Sequence, residues 1–345
     1  MTDSLAPNTE CCPGRIRMGM HNRISSCSKR APIPIAACVV GMLLIPPAHA
    51  DFAGLVEIGG GRHIYLDCRG TGSPTVVLEA GYRGSGRFWS GDLRQAGAPR
   101  TMVLPGVSGF TRVCAYDRPG TVASLNGNVR PSRSDPVPQP RTAPDAVVDL
   151  HTLLVSAGIR GPYVLAGHSL GGLFVRLYAS TYPSDVVGLI LVDAYSERLE
   201  TLLTPERWAA LVRLNVRSGS DSVKPIPSYG DLETIGYGKD NVMMRQVAAT
   251  TPLRAMPLAV LVHALPFDLP KEAEGFSSDA LESVLRAANQ DLATLVPNAR
   301  FFVAKDSGHD VHQDQPELVI EAIRQVVAGV RNPDTWYDLA SCCAN

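Results

Sequence analysis

Residues 163–172 read YVLAGHSLGG, and this stretch restricts the fold more than any other. A short apolar run passes straight through Gly167-His168-Ser169-Leu170-Gly171 into a stretch with helical spacing. A chain that turns from strand to helix so abruptly must hold the serine in a strained conformation with its oxygen exposed. Glycines two before and two after leave room for that turn. As a bare pattern G-x-S-x-G arises often by chance, and it then marks only a tight turn with a helix-capping serine. Here the strand before and the helix after are both legible, so Ser169 is the candidate nucleophile.

The chain around this turn alternates strands with helices. Gly54–Ile58 and Arg62–Cys68 read as a hairpin joined by the glycines at 59–61. Thr75–Ala80, Arg112–Asp117, Val186–Val192, Leu258–His263 and Arg300–Ala304 are short apolar runs suited to buried strands. Helices are expected over Phe88–Gln95, from Pro144 to Gly158, after Ser169 to near Pro183, over Ser278–Leu295 and over Pro316–Val330. Residues 119–144 show no period and read as a long surface loop. This alternation predicts a mostly parallel sheet covered on both faces. Residues 195–255 fit the strand–helix cycle poorly and are expected to form a cap over the carboxyl edge of the sheet.

A serine hydroxyl needs a base and an orienting acid to become a nucleophile at neutral pH. His309 lies in the loop Lys305-Asp306-Ser307-Gly308-His309 after the last strand, which fits the chain order serine, acid, histidine. His312 is its competitor. His63 and His151 read as surface residues and His263 as a partly buried strand residue. Two acids compete. Asp193 ends the strand VVGLILV, where its position is well defined, and is favoured over Asp268, in the proline-flanked loop after the next strand. The oxyanion of an acyl-transfer intermediate needs two N–H donors. Leu170, immediately after the serine, supplies one. Tyr82, in the glycine-rich loop 79–86, is the candidate for the other.

Composition narrows the function. With 45% apolar and 19% charged residues the chain of 345 residues can bury a full core. A formal net charge of −1 offers no broad attraction to nucleic acid or anionic lipid. Residues 1–50 read as an export signal. Arg15, Arg17, Arg23, Lys29 and Arg30 precede an apolar stretch from Ile33 to Ile45, and Ala48-His49-Ala50 offers a cleavage site, with Met18 or Met20 as possible starts. Cleavage after Ala50 would leave no membrane span and four cysteines, Cys68, Cys114, Cys342 and Cys343. In an exported chain these permit disulfides. No zinc-type Cys/His spacing, dinucleotide fingerprint or Walker loop is present, so neither metal nor cofactor is expected.

Taken together, TVVLEAG at 75–81, RVCAYDRPG at 112–120, VLAGHSLGG at 164–172, LILVDA at 189–194 and SGHDVHQDQPELVIEAI at 307–323 resemble the α/β-hydrolase family. The resemblance runs from about residue 54 to 330. It implies an α/β fold with an eight-stranded sheet whose second strand is antiparallel, a helical cap between the sixth and seventh strands, and a Ser–His–acid triad. The core would be 51–194 with 256–332, the cap 195–255 and the tail 333–345. Three positions depart from the family pattern. Ala80-Gly81 replaces the usual His-Gly, and Thr121-Val122-Ala123-Ser124 replaces aromatic-Gly-x-Ser. The acid follows the seventh strand in most relatives, whereas in some, haloalkane dehalogenases among them, it follows the sixth, which leaves Asp193 and Asp268 both open. The resemblance also makes the second and fourth strands neighbours, which implies a Cys68–Cys114 disulfide.

The expected activity is therefore that of an exported serine esterase acting on a small ester. The substrate would have an apolar part facing Leu203, Trp208, Leu211 and Leu214 of the cap. A thioesterase, an amidase or a proline-type aminopeptidase of the same fold is the alternative, as is a non-catalytic binding protein built on the fold.

Overall fold

The computed structural model describes residues 51–95, 100–125, 128–221, 231–267, 269 and 277–338. The expected export signal, Asp268, Cys342 and Cys343 lie outside the described residues. Among the described residues ten strands form: β1 (Phe52–Glu57), β2 (His63–Arg69), β3 (Thr75–Glu79), β4 (Val113–Tyr116), β5 (Val122–Leu125), β6 (Asn128–Pro131), β7 (Tyr163–His168), β8 (Val186–Val192), β9 (Leu258–His263) and β10 (Arg300–Ala304). Eight of them make one sheet in the order β1-β2-β4-β3-β7-β8-β9-β10. β2 runs antiparallel to both β1 and β4, and every other pairing in this sheet is parallel.

The parallel strands are apolar throughout because both of their faces are buried. Alternate residues of β7, Leu165 on one side and Val164 and Ala166 on the other, enter two separate cores, as do Leu191 and Ile190 of β8. On the first face pack α3 (Ala143–Ser156), α4 (Leu170–Thr181) and α8 (Ser278–Leu292), through residues such as Leu150, Phe174 and Leu281. On the second pack α1 (Arg87–Ser90), α2 (Val103–Ser108), α10 (Pro316–Arg331) and α11 (Pro333–Asp338), through Trp89, Leu104, Ile323 and Trp336. A short α9 (Val311–Asp314) precedes α10. Between β8 and β9 the chain makes an excursion holding α5 (Leu199–Leu202), α6 (Pro205–Asp221) and α7 (Tyr237–Thr250).

Local signals explain the boundaries. Thr142 caps α3 through a reciprocal box. Its hydroxyl accepts the Asp145 N–H, and the Asp145 carboxylate accepts the Thr142 N–H at 2.9 Å. Two expectations need correction. The stretch 119–144 is not all loop: β5 and β6 pair as an antiparallel hairpin, and Ser85 donates its N–H to the Val122 carbonyl at 3.1 Å. The helix expected over Phe88–Gln95 stops at Ser90, where Gly91 in extended backbone ends it.

Candidate active site

The parallel strands all deliver their carboxyl ends to one edge, and register decides what meets there. His168, at the end of β7, lies opposite Val192 at the end of β8. Val192 in turn pairs Leu261 of β9, and His263 pairs Ala304 of β10. The residues that leave these strands, Ser169, Asp193, the 264–267 loop and the 305–310 loop, are thereby gathered.

Ser169 has φ 50° and ψ −123°, a strained backbone for a residue other than glycine. Its hydroxyl caps nothing in α4, so the helix-capping reading of the motif fails. The turn is nailed from the neighbouring strand: the Ser169 N–H donates to the Val192 carbonyl at 3.1 Å, and the Ser169 carbonyl accepts the Tyr195 N–H at 2.8 Å. Glycine is obligatory at 167, where a Cβ would lie 2.5 Å from the Gly171 carbonyl oxygen. Leu170 opens α4, whose first N–H groups have no partner within the helix. A Cβ on Gly81 would come 3.0 Å from Ser169 Cβ and 2.9 Å from His168 Nδ1. The loop that carries Tyr82 therefore runs directly against the serine.

Beneath that loop lies a buried ionic network that sequence reasoning missed. Arg118, 4% exposed, donates to the carbonyls of Ala80 at 2.8 Å and Gly81 at 2.7 Å. The same guanidinium pairs with Glu79, which also accepts from the Tyr116 hydroxyl, and with Glu233 at 2.7 Å. Glu233 sits in the β8–β9 excursion and accepts the Arg83 N–H at 2.6 Å. Arg118 thus ties the excursion to the loop beside Ser169. The only hint in the sequence is a glutamate where an apolar strand residue is expected.

His309 and Asp193 are brought together: Nδ1 of the one lies 2.5 Å from Oδ2 of the other. Asp193 takes φ 43° and is anchored by its N–H to the Leu261 carbonyl at 2.7 Å. Burial opposes its ionised form, but hydrogen bonds from His263 and His309 outweigh that and hold its carboxyl well below the usual range. Burial likewise weakens proton binding at His309, yet the Asp193 hydrogen bond and charge, helped by Asp310, raise its pKa above 6.5. The His309 side chain keeps 32% of its surface exposed. Its carbonyl accepts from His168 Nε2 at 3.0 Å, which fixes that histidine's proton on Nε2, since a carbonyl can only accept.

His312, the competitor for the role of base, is buried between Trp89 and His168, at ring separations of 4.6 and 4.3 Å. Burial first, then the charges of His309 and Arg94, push its pKa down to about 3. His63 pairs with Asp135 and His151 stacks on Tyr182. His263 is buried rather than partly so, and bonds Asp193 at 2.7 Å. Cys68 and Cys114 stand opposite each other on β2 and β4 and are joined by a disulfide. Leu203 and Leu211 are buried in the first core, with Trp208 half-buried against it and Leu214 half-buried.

Among the described residues two groups bring three ligand-type atoms within 4.8 Å of one another: Asp193, His263, His309, and His168, Asp310, His312. The first is already joined by hydrogen bonds among its own members. In the second, His168 Nε2 is engaged by the His309 carbonyl. Among the described residues no helix is long and apolar enough to cross a membrane.

A family model described as "Alpha/beta hydrolase family" matches residues 76–322. The chain belongs to the alpha/beta hydrolase family. An "AB hydrolase superfamily protein" of Gibberella zeae is 24% identical over 318 residues, covering 78% of this chain and 92% of that one. A "Putative carbamate hydrolase RutD" of Yersinia enterocolitica is 32% identical over 135 residues, 38% of this chain and 41% of that protein. Among solved structures, the carboxylesterase CesB of Bacillus subtilis superposes with a TM-score of 0.50 at 16% identity. It covers 81% of this chain and 92% of its own, a likeness of fold alone.

Proposed function

We propose that this alpha/beta hydrolase is an exported serine esterase. Ser169 Oγ attacks the acyl carbonyl carbon while His309 Nε2 takes the hydroxyl proton. The N–H groups of Leu170 and Tyr82 hold the oxyanion. His309 then returns the proton to the leaving alcohol, and water, activated by the same imidazole, hydrolyses the acyl-enzyme. Asp193, rather than Asp268, orients His309 and stabilises its imidazolium. No cofactor enters these steps.

The observation that carries this reading is the 2.5 Å contact between His309 Nδ1 and Asp193 Oδ2, at the same strand edge as a serine with φ 50°. Residues 195–255 serve as the cap, and the apolar residues around Trp208 favour a substrate with an apolar acyl or alcohol part. Export is supported by the sequence of residues 1–50 and by the Cys68–Cys114 disulfide, since such bonds persist in oxidising compartments.

The test is a fluorophosphonate probe together with a panel of nitrophenyl esters, acyl-thioesters and aminoacyl amides. Labelling of the native protein but not of Ser169→Ala, with esters turned over fastest, is the expected result. No labelling would leave a binding protein. Preference for amides or thioesters would make it an amidase, an aminopeptidase or a thioesterase of the same fold instead.

A further inference from the structure

Behind Asp193 the hydrogen-bonded chain continues. His263, the last residue of β9, sets Nδ1 at 2.7 Å from Asp193 Oδ2 and Nε2 at 2.9 Å from Glu282 Oε2. Its N–H also reaches Asp193 Oδ1 at 3.3 Å. The His263 side chain is only 5% exposed. Ionised carboxylate oxygens only accept hydrogen bonds, so an imidazole facing carboxylates through both nitrogens must carry a proton on each. Burial weakens the second proton's binding, but Asp193 and then Glu282 outweigh it and raise the His263 pKa above 6.5.

Glu282, on α8, does more than face the imidazole. Its Oε1 accepts the Phe267 N–H at 2.8 Å, and the Phe267 ring lies 5.2 Å from His263 and 5.3 Å from His309. One carboxylate therefore braces both the end of β9 and the loop whose ring flanks His309.

We propose that His263 is a positioning residue, held as an imidazolium between Asp193 and Glu282, that tempers the basicity of His309 by sharing its carboxylate oxygen. The proposal rests on the reading of Ser169, His309 and Asp193 as a triad. Both imidazoles lean on the same atom, Asp193 Oδ2. A cation on the far side of that oxygen weakens its pull on the His309 Nδ1 proton. More of His309 then stays neutral near neutral pH, the form a general base needs. The groups facing His263 are Asp193 from the end of β8, Glu282 from α8 and His309 from the loop after β10. His309 faces Asp193, His263, Asp310 and, from the end of β7, His168. Of these Asp193 and Asp310 strengthen its hold on a proton and His263 weakens it.

Two measurements test this. In the full chain with ¹⁵N-labelled histidine, the His263 signals are assigned by their loss in His263→Gln. Both of its ring nitrogens should stay protonated as pH rises past about 6.5, where free histidine loses its proton. A His263 that is neutral at that pH overturns the proposal, and this readout needs no substrate. The second measurement is the pH profile of ester kcat/KM. In His263→Gln the acid limb should move up by about one pH unit, so that activity falls about tenfold below the midpoint while the alkaline plateau changes far less. A lower plateau with an unmoved limb would make His263 merely structural and sink the idea. Should His263→Gln not fold, Glu282→Gln replaces it: His263 should then lose its second proton at lower pH, and an unchanged titration counts against the proposal. A native protein that neither hydrolyses esters nor takes the fluorophosphonate defeats the triad reading instead, and the spectrum still decides the state of His263.

Discussion

His168 donates its Nε2–H to the carbonyl of His309, 141 residues further along the chain, at 3.0 Å. The residue just before the serine thus holds the backbone of the loop that carries the imidazole. We predict that His168→Leu, which keeps bulk and loses the donor, leaves the fold intact and lowers kcat/KM by about 10- to 100-fold through misplacement of His309. Steady-state kinetics beside circular dichroism check this, and unaltered kinetics would mean the loop needs no such tether.

Asp193→Asn should cost about 10³- to 10⁴-fold in kcat, as expected when a triad histidine loses the carboxylate that selects its tautomer. Asp268→Asn should cost less than tenfold. The two variants are compared on one nitrophenyl ester, and a larger loss for Asp268→Asn would reassign the acid.

A base must be neutral to accept the serine proton. Because the pKa of His309 is raised above 6.5, ester kcat/KM should be low in acid and climb to its plateau with a midpoint above that value. Asp310 is one of the charges that raises it. Removing that charge in Asp310→Asn should therefore shift the midpoint to lower pH, as read from kcat/KM between pH 5 and 9, a range of about four units around the ordinary histidine value.

Asp240 offers a stability test away from the chemistry. It is 3% exposed on α7, its Oδ1 accepts the Ala143 N–H at 3.1 Å, and its Oδ2 has no partner among the described residues. Burial, partly offset by that hydrogen bond, pushes its pKa up from 3.8 to about 6. The folded state therefore binds this proton more tightly than the unfolded state does. The resulting penalty is absent at low pH, grows as pH rises between these values, and reaches at most about 3 kcal/mol. Asp240→Asn keeps an acceptor for Ala143. It should raise the melting temperature at pH 8 and leave it nearly unchanged at pH 4, which thermal denaturation at the two pH values decides.

The main sheet was legible because its strands are buried on both faces and read as unbroken apolar runs, as in VVGLILV. Ser169 was legible for a related reason: its turn forces glycines at fixed offsets. What escaped depends on register or on burial overriding propensity. The segment 103–108 reads VLPGVS and holds a proline and a glycine, yet it is helical because Val103, Leu104 and Val107 fill the second core. β6 is half exposed along its length, so no apolar alternation announces the hairpin within 119–144. His263 looked like an ordinary strand residue. Only the pairing of Val192 with Leu261 brings it beside Asp193, and a single sequence does not display that register.

The Arg118–Glu233 pair pins the β8–β9 excursion to the sheet edge at one point. Lifting the whole β8–β9 excursion away would strand an enclosed guanidinium without one of its counter-charges, a costly separation. The stretch around Glu233 is therefore held fast against the loop beside Ser169, since the same glutamate also takes the Arg83 N–H.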